Sequence, residues 1–209
     1  MMSRKGNALA ACLLTAFCLS AVSCGPVFLH PLSDEKTSDR DDRLLGQWKW
    51  AEGQDVMLVT VAKGKGKSLD IKAVGSSSEN PKEKEEYAFP IFTTKIGSQC
   101  FLTMQSMDAD AKKPLNTYTI VRYDLPDQQT LEVRPMEDDR IAAAIQSKEL
   151  QGTLVTKKTT SFLGGLISMI DETESITVSD SPENIARFLR KHGRDCFAHD
   201  PLFVFKKQR

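Results

Sequence analysis

Residues 69–73 read Leu-Asp-Ile-Lys-Ala, so apolar and charged side chains alternate along the segment. The same period of two recurs in residues 131–134 (Leu-Glu-Val-Arg) and 176–179 (Ile-Thr-Val-Ser). Such alternation gives a strand one buried and one wet face, which is typical of antiparallel sheets. From Leu44 onward this period is commoner than a period near four, and the sequence therefore predicts a mainly antiparallel, all-β fold.

Further segments carry the strand signature and are separated by turn-forming residues. They are residues 44–50, 56–62, 87–94, 99–105, 116–124, 152–157 and 202–206. Roughly ten short strands, spaced by about 8 to 15 residues, indicate a meandering sandwich or barrel and not parallel strands joined by crossover helices. Closure into a barrel would also leave no sheet edge exposed.

Two short helices interrupt the strands. For the clearer one, Ser181 is a capping residue, Pro182 suits the first helical position and Gly193 ends the helix. The other is expected over residues 139–150, with Ile141, Ala144 and Ile145 on one side. The apolar face of the clearer helix is predicted to pack on the sheet.

The chain begins with a charged end, Arg4 and Lys5, followed by residues 8–23, which carry no ionised side chain. This is the layout of a secretory signal. Small residues precede Cys24, and the site resembles the lipobox of bacterial lipoproteins. The resemblance implies that residues 1–23 are a signal peptide and that Cys24 becomes the acylated N-terminus, which would anchor the protein in the bacterial cell envelope, facing the periplasm.

Other interpretations of the N-terminal segment stay open. Cys12 has too short an apolar stretch before it, and Cys18 follows the bulky Phe17. An uncleaved anchor is the main alternative, because residues 8–29 are long enough to span a bilayer, although Pro26 disfavours a continuous helix. Simple secretion is another.

Residues 30–43 hold five acids and three bases with few apolar side chains. A segment of this composition is expected to stay solvated. We therefore predict that residues 24–43 form a lipidated N-terminus and polar tether, and that residues 44–209 form the β-barrel domain.

The first strand of that domain contains Gly46 and Trp48 in the order Gly-x-Trp. This resembles the opening of the lipocalins and related calycin barrels. The resemblance implies that Trp48 closes the base of the barrel beside a basic residue from the end of the chain, where Lys206, Lys207 and Arg209 lie. It also implies an outer helix and the binding of an apolar or amphipathic small molecule.

Residues 161–170 form the most apolar stretch after the N-terminal segment, with Gly164 and Gly165 at its centre. Such a stretch can form a hairpin around the glycine pair or an irregular lid. One interpretation is a lip that admits a lipid-like ligand or touches the membrane, formed by Phe162, Leu163, Leu166 and Ile167. The other, which we favour, is a segment that fills the barrel core.

The chemistry-bearing residues form no recognisable apparatus. A disulfide between Cys100 and Cys196 would suit an oxidising compartment, but two buried unpaired thiols are favoured. His192 and His199 lie near Asp195 and Cys196 without the further ligands that a metal site needs. We therefore predict no catalytic residue, metal or cofactor.

The chain carries 28 basic and 28 acidic side chains, which gives no electrostatic reason to expect nucleic acid. The first functional hypothesis is a membrane-anchored envelope lipoprotein that binds a lipid-like small molecule without catalysis. The alternative is a structural or interaction module with a filled barrel core and an envelope protein as partner. A third, an envelope hydrolase, would need His192 or His199 in a pocket beside a serine or a carboxylate.

Overall fold

The computed structural model describes residues 25–76, 84–107, 113–163 and 166–208. The strands are β1 (Val27–Phe28), β2 (Gly46–Glu52), β3 (Asp55–Lys63), β4 (Leu69–Ser76), β5 (Lys84–Ile96), β6 (Gln99–Met107), β7 (Pro114–Asp124), β8 (Thr130–Arg134), β9 (Gly152–Leu163), β10 (Leu166–Val178) and β11 (Phe203–Lys207). The helices are α1 (Asp138–Gln146) and α2 (Pro182–His192).

Strands β2 to β8 and β11 close into an eight-stranded barrel. Each strand from β2 to β7 pairs antiparallel with the next one along the chain. β11 pairs with both β8 and β2, which closes the ring. The predicted fold class is confirmed, since the chain is an antiparallel barrel consistent with a calycin or lipocalin-like all-β fold, with two short helices.

The barrel core follows from the alternation in the sequence. In β4, Leu69 and Ile71 are buried, while the alternate residues Asp70 and Lys72 are exposed. Inward residues of all eight barrel strands and Leu44 belong to one apolar cluster, which includes Trp48, Trp50, Met57, Val59, Ile91, Leu102, Val121, Leu131 and Phe205. Burial of this cluster is the main stabilisation of the barrel.

Strands β6 and β7 are buried on both faces, because a second layer covers this side of the barrel. Leu102 and Val121 lie in the interior cluster, whereas Phe101 and Ile120 belong to a second cluster. That second cluster includes residues of β1, α1 and α2: Phe28, Ile141, Ala144, Ile185, Phe188 and Leu189. The two helices therefore pack outside the barrel.

The clearer helix begins and ends as predicted. The hydroxyl of Ser181 accepts a hydrogen bond from the Asn184 backbone at 3.3 Å, and Gly193 follows the last turn with φ of 52°. The other helix is shorter than expected. It spans Asp138–Gln146, is preceded by Glu137 without a side-chain cap, and ends at Ser147 before the predicted limit of residue 150.

The predicted solvated tether is wrong for the residues from 25 onward. Residues 25–44, which we call the strap, are packed on the barrel, where Phe28 is 1% exposed and the hydroxyl of Ser38 donates to the Thr93 carbonyl at 2.9 Å. Polar composition misled here because the charged groups complete local turns. The Asp34 carboxylate, for example, accepts hydrogen bonds from the backbone of Lys36 and Thr37.

Strands β9 and β10 form a hairpin outside the barrel. They pair antiparallel with each other from Gly152 opposite Val178 to Leu163 opposite Leu166. β10 also pairs with β1, which in turn pairs with β7. Among the described residues, no helix has both the length and the apolar character needed to cross a membrane.

Candidate functional site: barrel interior and base

Where described residues line it, the barrel interior is packed with apolar side chains. The space lined by Trp48, Ile71, Leu102, Phe205 and their neighbours has a volume of about 30 Å³. Pockets that hold drug-sized ligands have volumes of about 300 to 1,000 Å³. The interior space is therefore comparable to one water molecule, and its lining is apolar.

Trp48 lies at the end of the barrel where β2 begins, which we call the base. Its side chain is fully buried, and the indole Nε1 donates a hydrogen bond to the Leu44 carbonyl at 2.7 Å. The Nζ atom of Lys207 lies 5.0 Å from the centroid of the Trp48 ring. The structure thus brings a basic residue from the last strand onto the tryptophan of the first barrel strand.

Gly46 is required by this arrangement. Its φ of 122° is one that other residues rarely adopt, and a Cβ atom here would lie 3.1 Å from Cε of Lys207. Glycine lets the lysine pass close to the backbone of β2 on its way to the tryptophan ring.

A hydrogen-bonded group joins the strap to the base. The Tyr123 hydroxyl donates to Oδ2 of Asp41 at 2.8 Å, while Arg43 donates to both carboxylate oxygens, at 2.8 and 2.6 Å. Burial favours protonation of Asp41, but these hydrogen bonds outweigh it and lower the pKa of the carboxyl. Burial and the nearby Cys100 and Asp41 raise the pKa of Tyr123, so the phenol stays a donor.

A cleft of about 700 Å³ opens at the base, which we call the base cleft. It lies between the strap and the β5–β6 and β7–β8 turns, and its lining comprises Arg43, Lys95, Gly97, Ser98, Cys100, Tyr123, Asp124, Leu125 and Pro126. The lining is mixed polar and apolar, unlike the barrel interior. The sequence analysis did not find this cleft, because its residues come from three separate segments.

The two cysteines are free thiols in the structure. Cys100 lies on β6 beside Tyr123 and lines the base cleft. Cys196 is buried in the second cluster, where burial raises the pKa of its thiol to about 11. The favoured prediction of two buried thiols is right for Cys196 and wrong for Cys100, which is only partly buried.

The two histidines near the end of the chain contact different carboxylates. Nε2 of His192 lies 2.8 Å from the Glu149 carboxylate, and the exposed His199 lies 3.3 Å from Asp200. Neither residue lines the base cleft. In the part of the chain that the structure describes, His, Cys, Asp and Glu side chains form no group suited to a metal ion.

The residues suggested as a ligand lip lie at the far end of the β9–β10 hairpin. Leu163 pairs with Leu166 and Phe162 with Ile167, with the two central glycines outside the described residues. The barrel closes without these strands. Cys24, the predicted lipidation site, also lies outside the described residues.

Comparison with known proteins identifies no relative. No family model, curated protein or solved structure matches the chain.

Sequence reasoning found the base but missed what surrounds it. Gly46, Trp48 and the terminal lysines were identifiable because they belong to a known local pattern. The Asp41 and Tyr123 pair was not, since 82 residues separate its members and each occurs in an ordinary local context. The only signal was the density of acids in the strap, which we had assigned to solvation.

Proposed function

We propose that this protein is a membrane-anchored envelope lipoprotein whose filled β-barrel serves as a noncatalytic structural or interaction module. The observation that carries the proposal is the apolar interior space of about 30 Å³. A lipid-like molecule needs a cavity roughly ten times larger. Of our two leading hypotheses, the structural or interaction module is therefore favoured over the binding of a lipid-like molecule.

The outer wall of the barrel supports an interaction role. Leu58 on β3 is 46% exposed and pairs directly with Val74 on β4, so the two share the outer face. Val204 on β11 is also exposed, on the far side of β2. Exposed apolar side chains that are neighbours, as Leu58 and Val74 are, are a feature of protein interfaces when they form part of a larger patch.

The anchor rests on the sequence of the N-terminal segment. The signal-like layout and the small residues before Cys24 support acylation of that cysteine, and more than one acyl chain would hold a soluble domain stably on a membrane. In this proposal the acyl chains insert into the bilayer, and the domain binds an envelope protein.

Mass spectrometry of the mature protein, purified from its own cells, tests both parts. The denatured mass should equal the chain from Cys24 plus covalent acyl groups, and the native mass should show no further lipid-sized adduct. A denatured mass without acyl groups would overturn the anchor. A noncovalent adduct lost on denaturation would instead return the proposal to ligand binding inside the barrel. Cys24→Ala should abolish acylation and leave the precursor unprocessed.

A second candidate function is favoured by the base cleft, whose volume of about 700 Å³ lies within the range of small-molecule sites. Its charged lining residues are Arg43, Lys95 and Asp124. Arg43 pairs with Asp41, and Asp124 pairs with Arg122 and Arg134, whereas the Lys95 ammonium makes no ion pair with any described residue. The cleft would take a polar, anionic small molecule and not a lipid. Loss of a native-mass adduct in Lys95→Gln, but not in the outer-wall control Lys49→Gln, would establish it.

A further inference from the structure

The thiol of Cys100 lies where the barrel interior meets the base cleft. The residue is partly buried, packs against the interior cluster and also lines the cleft. It lies directly opposite Tyr123 in the register of β6 and β7, within hydrogen-bonding reach of the phenol. Hydrogen bonding to Asp41, and more weakly the attraction of Cys100, raises the pKa of Arg43, so the guanidinium is also close to the sulfur. The thiol is therefore one of a group of side chains that meet at a single cleft.

The described part of the chain offers Cys100 no second thiol. Cys196 belongs to the second cluster, outside the barrel, together with Phe101, the neighbour of Cys100 on β6. Successive residues of a strand point to opposite faces, so the barrel wall separates the two cysteines, and both are free thiols. Oxidation of Cys100 in the folded domain therefore needs a sulfur atom from outside the described residues.

The shape of the base cleft limits what can bring this sulfur atom. The strap and two turns surround a space of about 700 Å³, which is within the range that holds small molecules of drug size. Cys100 is only partly exposed at its wall. The thiol is thus open to a low-molecular-weight disulfide and shielded from a disulfide on the surface of a folded protein.

The charges around the cleft favour an anion. The carboxylates of Asp39, Asp41 and Asp124 already accept hydrogen bonds, from the Lys95 backbone, from Tyr123 and from two arginines, respectively. The Lys95 ammonium, in contrast, makes no ion pair with any described residue. This cation is left to attract a carboxylate of an incoming molecule.

We propose that the base cleft binds an anionic, low-molecular-weight disulfide and that Cys100 takes one half of it as a mixed disulfide. The Cys100 thiolate attacks one sulfur of the bound disulfide, a new S–S bond forms at Sγ, and the old S–S bond breaks. The leaving half departs as a thiolate and receives the proton that the Cys100 thiol gave up, so the disulfide is reduced while Cys100 is oxidised. The inference rests on the second candidate function, the binding of a polar, anionic small molecule in the base cleft, and names the class of that molecule.

Disulfide exchange with two probes of opposite charge tests the inference. The mature protein, reduced and freed of reductant, is mixed with oxidised glutathione, which is anionic, or with cystamine, which is cationic. Peptide mass mapping then gives the rate of adduct formation at Cys100 for each probe. The same pair of rates, measured in urea, corrects for the intrinsic reactivity of the two reagents.

We expect the native protein to favour oxidised glutathione over cystamine roughly fivefold more than the denatured protein does, the effect of one charge at about 4 Å in water. Lys95→Gln should remove this preference, whereas Lys49→Gln, on the exposed outer face of β2, should keep it. The absence of an adduct at Cys100 in the native protein, or a preference that survives in Lys95→Gln, would overturn the inference.

S-Methylglutathione, which carries the charges of one half of the probe but no disulfide, separates this inference from the second candidate function. A noncovalent native-mass adduct with it, without a mixed disulfide from oxidised glutathione, would leave the cleft as an anion site and overturn the covalent step alone. The absence of both adducts would overturn the inference and the second candidate function together.

Discussion

Lys207 and Trp48 join the last strand of the barrel to the first, with the ammonium group 5.0 Å from the centroid of the indole ring. The same ammonium group donates a hydrogen bond to the Arg43 carbonyl at 3.3 Å. One side chain from the end of the chain thus holds the first barrel strand and the strap together. The base is stabilised by contacts between parts of the chain that are far apart in sequence.

Truncation of the buried indole should be costly. We expect Trp48→Ala to lower the free energy of unfolding by about 3 to 5 kcal/mol, through lost burial and the cavity that remains. Trp48→Phe keeps most of the volume but loses the hydrogen bond to Leu44, and should cost less. Urea denaturation followed by circular dichroism measures both. An unchanged midpoint for Trp48→Ala would contradict the buried position at the base.

Lys207, whose ammonium group lies over the Trp48 ring, should contribute less to the free energy of unfolding than the indole itself. A cation above an indole face contributes about 0.5 to 2 kcal/mol, depending on its exposure. We therefore expect Lys207→Met to lower the unfolding free energy within that range, whereas Lys49→Met, on the exposed outer face of β2, should have no measurable effect. Equal effects of the two substitutions would argue against the cation–π contact.

The strap should be part of the folded domain. Phe28 is 1% exposed, and we expect Phe28→Ala to destabilise the protein by about 3 to 5 kcal/mol. Its neighbour Leu29 is 42% exposed, so Leu29→Ala serves as the control and should change stability little. Thermal unfolding of the two variants distinguishes a packed strap from a solvated tether, for which both substitutions would be neutral.

The strap should also make stability depend on pH. Because the pKa of Asp41 is lowered in the folded state, its contribution is present above the ordinary carboxyl pKa and is lost as the pH falls through the lowered value. We expect the unfolding free energy of the wild type to decrease below about pH 4, and Asp41→Asn to reduce this decrease. Asp200→Asn, at a fully exposed carboxylate, is the control. Identical pH profiles for wild type and Asp41→Asn would be contrary to the structure.

The cysteines should differ in reactivity. At pH 8 a thiol with a pKa of about 11 is ionised to about one part in a thousand, and Cys196 is also 3% exposed. We expect iodoacetamide to leave Cys196 unmodified in the native protein and to modify both Cys100 and Cys196 after denaturation without reductant. Peptide mass mapping identifies the labelled residue. Resistance of both thiols in the denatured, unreduced protein would show that they are joined by a disulfide.

Local patterns in the sequence accounted for most of the elements. Alternation predicted strands such as the one that contains Leu69 and Ile71, because a strand with one buried face must place apolar residues at every second position. The cap at Ser181 and the stop at Gly193 predicted α2, because helix ends have their own local chemistry. Both signals lie within a few residues of the element they define.

The strap and the long hairpin could not be predicted in the same way. Phe28 is buried by residues of β7, β10 and the helices, all distant in sequence, so its own polar neighbourhood gave the wrong answer. The hairpin strands extend well past residue 157, where the predicted strand ended, because their pairing partners and not their own alternation define them.

The sequence by itself determined the all-β class, the two helices and the Gly46 and Trp48 pattern, since each depends on periodicity or on a few adjacent residues. Only the tertiary structure decided how tightly the described residues pack in the barrel interior, that Lys207 is the lysine that reaches Trp48, and that Asp41 meets Tyr123. These facts depend on how side chains from distant strands share one volume. Packing of that kind is a property of the closed barrel and is not carried by any single segment.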